Sequence, residues 1–243
     1  MKVLAVIPAR YASTRFPGKP LVDIKGKTMI QRVYEQVTQA NWVTKVVVAT
    51  DDERIFQHVK SFGGEVKMTA ENHQSGTDRC AEVSLQFTDY EIVVNVQGDE
   101  PFLAPADIDQ VIQPFLEQEN LNITTLGTPI KDPANLFDVN VVKVVKAANQ
   151  QALYFSRQAI PYLRNVPKEN WLQQRSFYKH LGIYGFRRET LLALTQLPVS
   201  ALEKAESLEQ LRWLENGHAI HVGITENDST GIDTPEDLEN LLS

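Results

Sequence analysis

The sequence predicts a three-layer α/β fold on a mixed, mainly parallel sheet, with a smaller antiparallel insert. Two observations carry this. Short, mainly apolar runs at 3–7, 45–49 and 91–96 alternate with segments whose apolar residues recur at helical spacing. After residue 122 the pattern changes, and strand-like runs follow one another without helices between them. Strand–helix alternation implies parallel strands joined by right-handed crossovers. A chain of 243 residues suits one domain.

Each element has its own reason. Residues 3–7 form a run apolar at every position, as expected of a strand covered on both faces. Met29, Ile30, Val33, Tyr34 and Val37 predict a helix, residues 45–49 a second strand, and Ile55, Phe56 and Val59 a short helix. A weak strand at 65–68 precedes a helix marked by Cys80, Val83, Ser84 and Phe87. The strand at 91–96 is followed by a helix near 106–116. Residues 122–130, 140–147 and 150–155 read as strands, Pro161 and Pro167 sit in a long connection, and 180–186 is a further strand. Helices near 188–194 and 208–215, a strand at 219–224, and a last helix at Thr234-Pro235 complete the chain. Asp237 gives that helix a capping-box-like start. Section 130–187 is the expected place for the antiparallel insert and a subunit interface.

Composition narrows the function. At 42% hydrophobic and 23% charged the chain is an ordinary globular one, and its longest apolar runs are far too short to span a membrane. The N-terminal apolar stretch reads as a first strand rather than a signal peptide. One cysteine, Cys80, excludes an internal disulfide and points to a reducing cytoplasm. Its simplest role is packing. A net charge of −7 argues against nucleic acid as partner. The first 32 residues nevertheless carry seven bases and one acid, which suggests a local anion site on an acidic body.

The loop P-A-R-Y-A-S-T-R-F-P-G-K-P-L, residues 8–21, follows the first strand, where parallel sheets bind ligands. Small residues there let backbone amides approach a ligand, and Arg10, Arg15 and Lys19 supply the charge a polyphosphate needs. Neither a Walker A loop nor a G-x-G-x-x-G turn is present. I-V-V-N-V-Q-G-D-E-P brings Asp99 to the edge of a buried strand, where it suits a hard cation or simply a turn. Gly98 beside it allows close approach or an unusual backbone conformation. Asp233, before the last helix, is a second candidate carboxylate, although sequence distance cannot place it beside Asp99. Ser75-Gly76-Thr77-Asp78-Arg79 opens a helix and suits either nucleotide binding or N-capping. His218 and His221 make a poor metal pair, His58 and His73 show no partner pattern, and Trp42, Trp171 and Trp213 read as packing residues.

These blocks, together with A-T-D-D-E-R, A-L-Y-F-S-R, K-H-L-G-I-Y-G-F, L-E-K-A-E-S-L-E-Q-L-R and G-I-D-T-P-E-D-L, resemble the sugar-acid cytidylyltransferases over essentially the whole chain. The resemblance is closest to the members acting on 3-deoxy-manno-octulosonate (Kdo). It implies a nucleotide-diphospho-sugar transferase fold, a homodimer, Mg²⁺, and CTP plus Kdo giving CMP-Kdo and pyrophosphate for lipopolysaccharide assembly in the cytoplasm. It assigns Ala9, Arg10, Ser13, Arg15, Lys19, Ser75, Gly76, Arg79 and Gln97 to the nucleotide. Asp99 and Asp233 match the metal ligands and, with Arg10, Arg15 and Lys19, form the catalytic set. Gln97, Arg157, His180, Tyr184, Glu209 and Gln210 match the sugar pocket, to which section 130–187 contributes. Arg157 is the natural partner for the sugar carboxylate, because guanidinium binds that group bidentately. The alternatives are the same chemistry on 8-amino-Kdo or a sialic-acid-like sugar, or a non-catalytic nucleotide sensor. A sensor would be expected to have lost Asp99, Asp233 or Lys19.

Overall fold

The computed structural model of the chain describes residues 1–12, 16–228, 231–232 and 234–242, with the backbone alone for 240–242. Strand β1 (Val3–Ala9) is central. Its side chains alternate between two cores, with Val3, Ala5, Ile7 and Ala9 in one and Leu4 and Val6 in the other. Two covered faces are why the run is apolar throughout. A small hairpin, β2 (Asp23–Ile24) and β3 (Lys27–Thr28), leads into α1 (Met29–Thr38), whose start Thr28 caps.

Strand–helix alternation then continues through β4 (Lys45–Thr50), α2 (Glu53–Ser61), β5 (Val66–Met68), α3 (Gly76–Ser84), β6 (Ile92–Asn95) and α4 (Pro105–Glu117). Next come β7 (Ile123–Pro129), α5 (Pro133–Phe137), β8 (Lys143–Lys146), β9 (Ala152–Ser156), α6 (Trp171–Gln174) and β10 (Tyr178–Arg187). The chain ends with α7 (Arg188–Leu194), α8 (Ala201–Glu206), α9 (Gln210–Glu215), β11 (His221–Ile224) and α10 (Pro235–Leu242).

The main sheet runs β11-β7-β10-β6-β1-β4-β5. β1 lies parallel to β4 and β6, β4 to β5, and β11 to β7. β10 is antiparallel to both β6 and β7, so the sheet is mixed but mainly parallel, as expected. Of the section 130–187, only β8 and β9 form an added antiparallel piece, joined through Val144 opposite Tyr178. β10 itself runs through the main sheet.

Three short helices, α5, α6 and α8, escaped the periodicity reading. None exceeds six residues, so an apolar period has no room to repeat, and α8 buries no side chain at all. It is set by its cap: Ser200 and Glu203 form a reciprocal capping box. Trp171 and Trp213 are buried packing residues, with Trp171 stacked on Phe177 in a small separate core, but Trp42 is half exposed. Cys80 is wholly buried in the second core, and burial pushes its thiol pKa well up, which makes it a packing residue. No helix among the described residues is long and apolar enough to cross a membrane.

Candidate active site

The carboxyl ends of β1 and β6 open onto a cavity of about 380 Å³. Ala9, Arg10, Lys19, Gly76, Gln97 and Asp99 all reach it, so three separate loops converge there. Gly98 lets two of them meet. A Cβ on Gly98 would lie 2.8 Å from the Pro8 carbonyl oxygen, and no left-handed φ is involved, so close approach is what demands glycine. Gly98→Ala should therefore lower the melting temperature by several degrees, from about 1–3 kcal/mol of forced backbone shift. A calorimetric scan identical to the parent's would show that the two loops can part without cost.

Charge in the cavity is arranged in pairs. Lys19 Nζ donates to Asp99 Oδ2 at 2.7 Å, with the two side chains 14% and 28% exposed. Lys19 follows Gly18, whose φ of 74° turns the chain and whose amide donates to the Tyr11 carbonyl. Arg10 donates to the backbone carbonyl of His73. Partial burial lowers its pKa, and the positive charge of Arg79 adds to the effect. Arg79 itself lies behind the cavity. It is fully buried, donates to Thr69 Oγ1 at 2.6 Å and pairs with Asp51, and its Nε has no partner among the described residues. Ser75 accepts the Asp78 amide at 3.1 Å while Asp78 accepts that of Ser75, so capping is real and Gly76 presents the helix start to the cavity.

A second group lies on the β10 and α9 side. Gln97 reaches it by donating to the Gly182 carbonyl at 2.9 Å, where β10 is irregular. The rings of His180 and Tyr184 lie 5.3 Å apart, tilted at 50°, and Tyr184 also meets Trp213 edge-on. The Tyr184 hydroxyl is buried without a partner among the described residues, and burial and the charge of Glu209 push its pKa well up. Glu209 accepts from Thr77 Oγ1 at 2.7 Å, linking α9 to α3, and burial raises its pKa. Gln210 beside it is buried.

Burial pulls the His180 pKa down to about 3. Thr125 Oγ1 gives its proton to the Ile183 carbonyl at 2.8 Å, so it accepts from His180 Nε2–H at 3.0 Å, which leaves Nδ1 unprotonated. The linkage has a definite sign. Between the unfolded value of 6.5 and about 3 the unfolded chain binds a proton that the folded one does not, so stability is lost as the pH falls through that window. Urea midpoints at pH 7 and 5 should show this fall, smaller in His180→Gln. Nitrogen-15 spectra should show His180 neutral at pH 5; a titration near pH 6.5 would refute the assignment.

Residues 4–220 match the family described as cytidylyltransferase. The chain belongs to that family. A relative from Parabacteroides distasonis named 3-deoxy-manno-octulosonate cytidylyltransferase is 54% identical, across 100% of this chain and 98% of its own. One of the same name from Geobacter sulfurreducens is 50% identical, with 100% and 98% covered. A solved structure of CMP:2-keto-3-deoxy-manno-octonic acid synthetase complexed with CTP matches with a TM-score of 0.93 at 45% identity, covering 100% of this chain and 97% of that one. A 4-diphosphocytidyl-2C-methyl-D-erythritol synthase from Anaerococcus prevotii shares the fold alone, with a TM-score of 0.63 at 14% identity. The resemblance carried by the motif blocks is thus borne out.

In this cytidylyltransferase the expected site residues, apart from Ser75 and Arg79 at α3 described above, fall into four sets. Ala9, Arg10, Lys19, Gly76, Gln97 and Asp99 line the cavity. His180, Tyr184, Glu209 and Gln210 form the neighbouring group. Arg157 is at the turn before Glu209, its guanidinium donating to the carbonyls of Glu206 at 2.7 Å, Val139 at 3.1 Å and Ser207 at 3.4 Å. Ser13, Arg15 and Asp233 lie outside the described residues.

The basic N-terminal segment is less concentrated than its sequence implied. Lys27 pairs with Glu35, Lys2 with Asp89, and Arg32 donates to the carbonyls of Ile24 and Lys25. The loop is anchored at its described ends: Phe16 packs against Ile24, Met29 and Ile232, and the Tyr11 ring lies under Arg54. Sequence reasoning missed Asp51, His73 and Glu82. Asp51 had a signal, since A-T-D-D-E-R follows a buried strand. His73 and Glu82 stand nine apart across a loop-to-helix junction, and no periodicity marks such a pair.

Proposed function

We propose that this enzyme activates Kdo with CTP, giving CMP-Kdo and pyrophosphate for lipopolysaccharide assembly. The observation that carries it is one cavity at the sheet's carboxyl edge holding Arg10, Lys19 and Asp99, in a chain that matches a CTP-complexed synthetase over its whole length. In the reaction the sugar hydroxyl forms a bond to the α-phosphorus, the α–β phosphoanhydride breaks, and the hydroxyl proton leaves to solvent. No covalent enzyme intermediate is needed, so the protein's work is positioning and charge neutralisation. Arg10 and Lys19, with Arg15, meet the triphosphate and the charge developing on pyrophosphate. Ser13, Ser75, Gly76 and Arg79 complete the nucleotide side, Arg79 acting from behind through Asp51.

The residues described at the cavity suit a hard cation. Its described lining holds no histidine or cysteine, and Asp99 presents a partly exposed carboxylate, which is the donor Mg²⁺ takes alongside phosphate oxygens. Ile232, next to Asp233 in sequence, donates its amide to the Asp99 carbonyl at 3.0 Å, which supports Asp233 as the second ligand. Asp99 and Asp233 would hold Mg²⁺, whose chemistry there is to neutralise phosphate oxygens and acidify the sugar hydroxyl. Gln97, His180, Tyr184, Glu209 and Gln210 take the sugar, and neutral His180 can accept a sugar hydroxyl at Nδ1. Arg157 meets the sugar carboxylate by exchanging backbone carbonyls for it.

The same reading places the enzyme in the cytoplasm as a homodimer. Phe137, Val139, Leu153 and Tyr162 put exposed apolar surface on section 130–187, where we place the subunit contact; sedimentation equilibrium measures it. Pyrophosphate release from CTP and Mg²⁺, with Kdo, 8-amino-Kdo and sialic acid tested separately, decides the substrate. Kdo should be preferred, and a preference for either other sugar would displace it.

A further inference from the structure

Helix α3 holds the loop in front of it at three places. Arg79 binds Thr69 Oγ1, and Asp78 accepts the amides of Gln74 and Ser75 at 3.1 and 3.0 Å. Glu82, one turn beyond Asp78 on the same helix face, takes the remaining stretch. Its Oε2 accepts the Ala70 amide at 3.0 Å and meets His73 Nε2. The backbone carbonyl of that same His73 is what Arg10 binds. A continuous path therefore runs from the Glu82 carboxylate through the His73 ring and backbone to the Arg10 guanidinium at the cavity.

We infer that Glu82 is a positioning residue for nucleotide binding, acting on Arg10 through His73. Arg10 needs such a device. It lies near the like charge of Arg79, which Asp51 only partly shields, and no carboxylate hydrogen-bonds it directly among the described contacts. A long side chain repelled by its neighbour occupies one rotamer only if an acceptor fixes it. A carbonyl can do so without cancelling the charge that the triphosphate requires. That carbonyl is aimed only as long as residues 70–73 keep their course, which the Glu82 bonds to both ends of the stretch enforce. Glu82 is not among the described residues lining the cavity and would affect nucleotide affinity alone.

The inference rests on Arg10 binding the triphosphate, so the experiment separates the two. CTP dissociation constants are measured by calorimetry, in Mg²⁺ and without sugar, for the parent, Arg10→Ala, Glu82→Ala and the double variant, with melting temperatures for each. Both single variants should weaken CTP binding, Glu82→Ala by about tenfold, and the double should be no weaker than Arg10→Ala. The KM for Kdo should stay within about twofold of the parent in Glu82→Ala. Parent-like binding by Arg10→Ala would sink the reading of Arg10 and this inference with it. Weakening by Arg10→Ala but not by Glu82→Ala, or additive losses in the double, would overturn this inference alone. If Glu82→Ala does not fold, Glu82→Gln, which keeps an acceptor for Ala70 but loses the charge toward His73, takes its place in the same cycle. The same non-additivity is then required.

Discussion

Asp99→Asn should melt within about a degree or two of the parent and lose at least about a hundredfold in turnover at saturating Mg²⁺. The small stability effect follows from position: the side chain is 28% exposed, packs in no core cluster, and its ion pair with Lys19 is partly screened by solvent. Asparagine keeps the shape and an oxygen that can accept from Lys19 Nζ. What disappears is one negative charge at the cavity edge, which would hold the proposed cation. A hundredfold corresponds to about 2.7 kcal/mol of lost stabilisation, modest for a charge acting in a sheltered site. Thermal melting with pyrophosphate-release kinetics across a Mg²⁺ series measures both. A folded variant turning over like the parent would remove Asp99 from the metal site.

Lys19→Ala should be as severe, lowering turnover by about 10²–10³ while leaving the KM for Kdo near the parent's. The ammonium neutralises Asp99 across 2.7 Å in this arrangement, and with Asp99 holding the proposed cation its charge would serve phosphate oxygens. Removing it withdraws charge from the leaving pyrophosphate but leaves Asp99 without a competing ammonium. The two variants are therefore distinguishable. Asp99→Asn should need more Mg²⁺ for half-maximal rate, and Lys19→Ala should need no more than the parent. A shift to higher Mg²⁺ in Lys19→Ala would mean that Lys19 organises the metal site instead of serving the phosphates.

Much of this was legible in the chain itself. The alternation of apolar runs and helical periods specifies a mainly parallel sheet, because strands covered on both faces have no polar side to show. That sheet then puts the loops after β1 and β6, and hence Arg10, Lys19 and Asp99, at one edge. Ser75 announced its cap through local spacing, as did the start of α10. Local rules act within a turn or two, so a sequence displays them directly. Tertiary structure decided the rest. It chose close approach over unusual φ for Gly98, because the obstacle is a carbonyl 90 residues away. It sent Lys2, Lys27 and Arg32 to partners away from the cavity, buried Arg79 behind Asp51, and gave Arg157 backbone carbonyls to hold. It also joined Glu82 to His73 and so to Arg10. Charge and residue type say what a side chain can bind; which partner it meets depends on how the packed elements bring distant loops together, and no spacing along the chain encodes that distance.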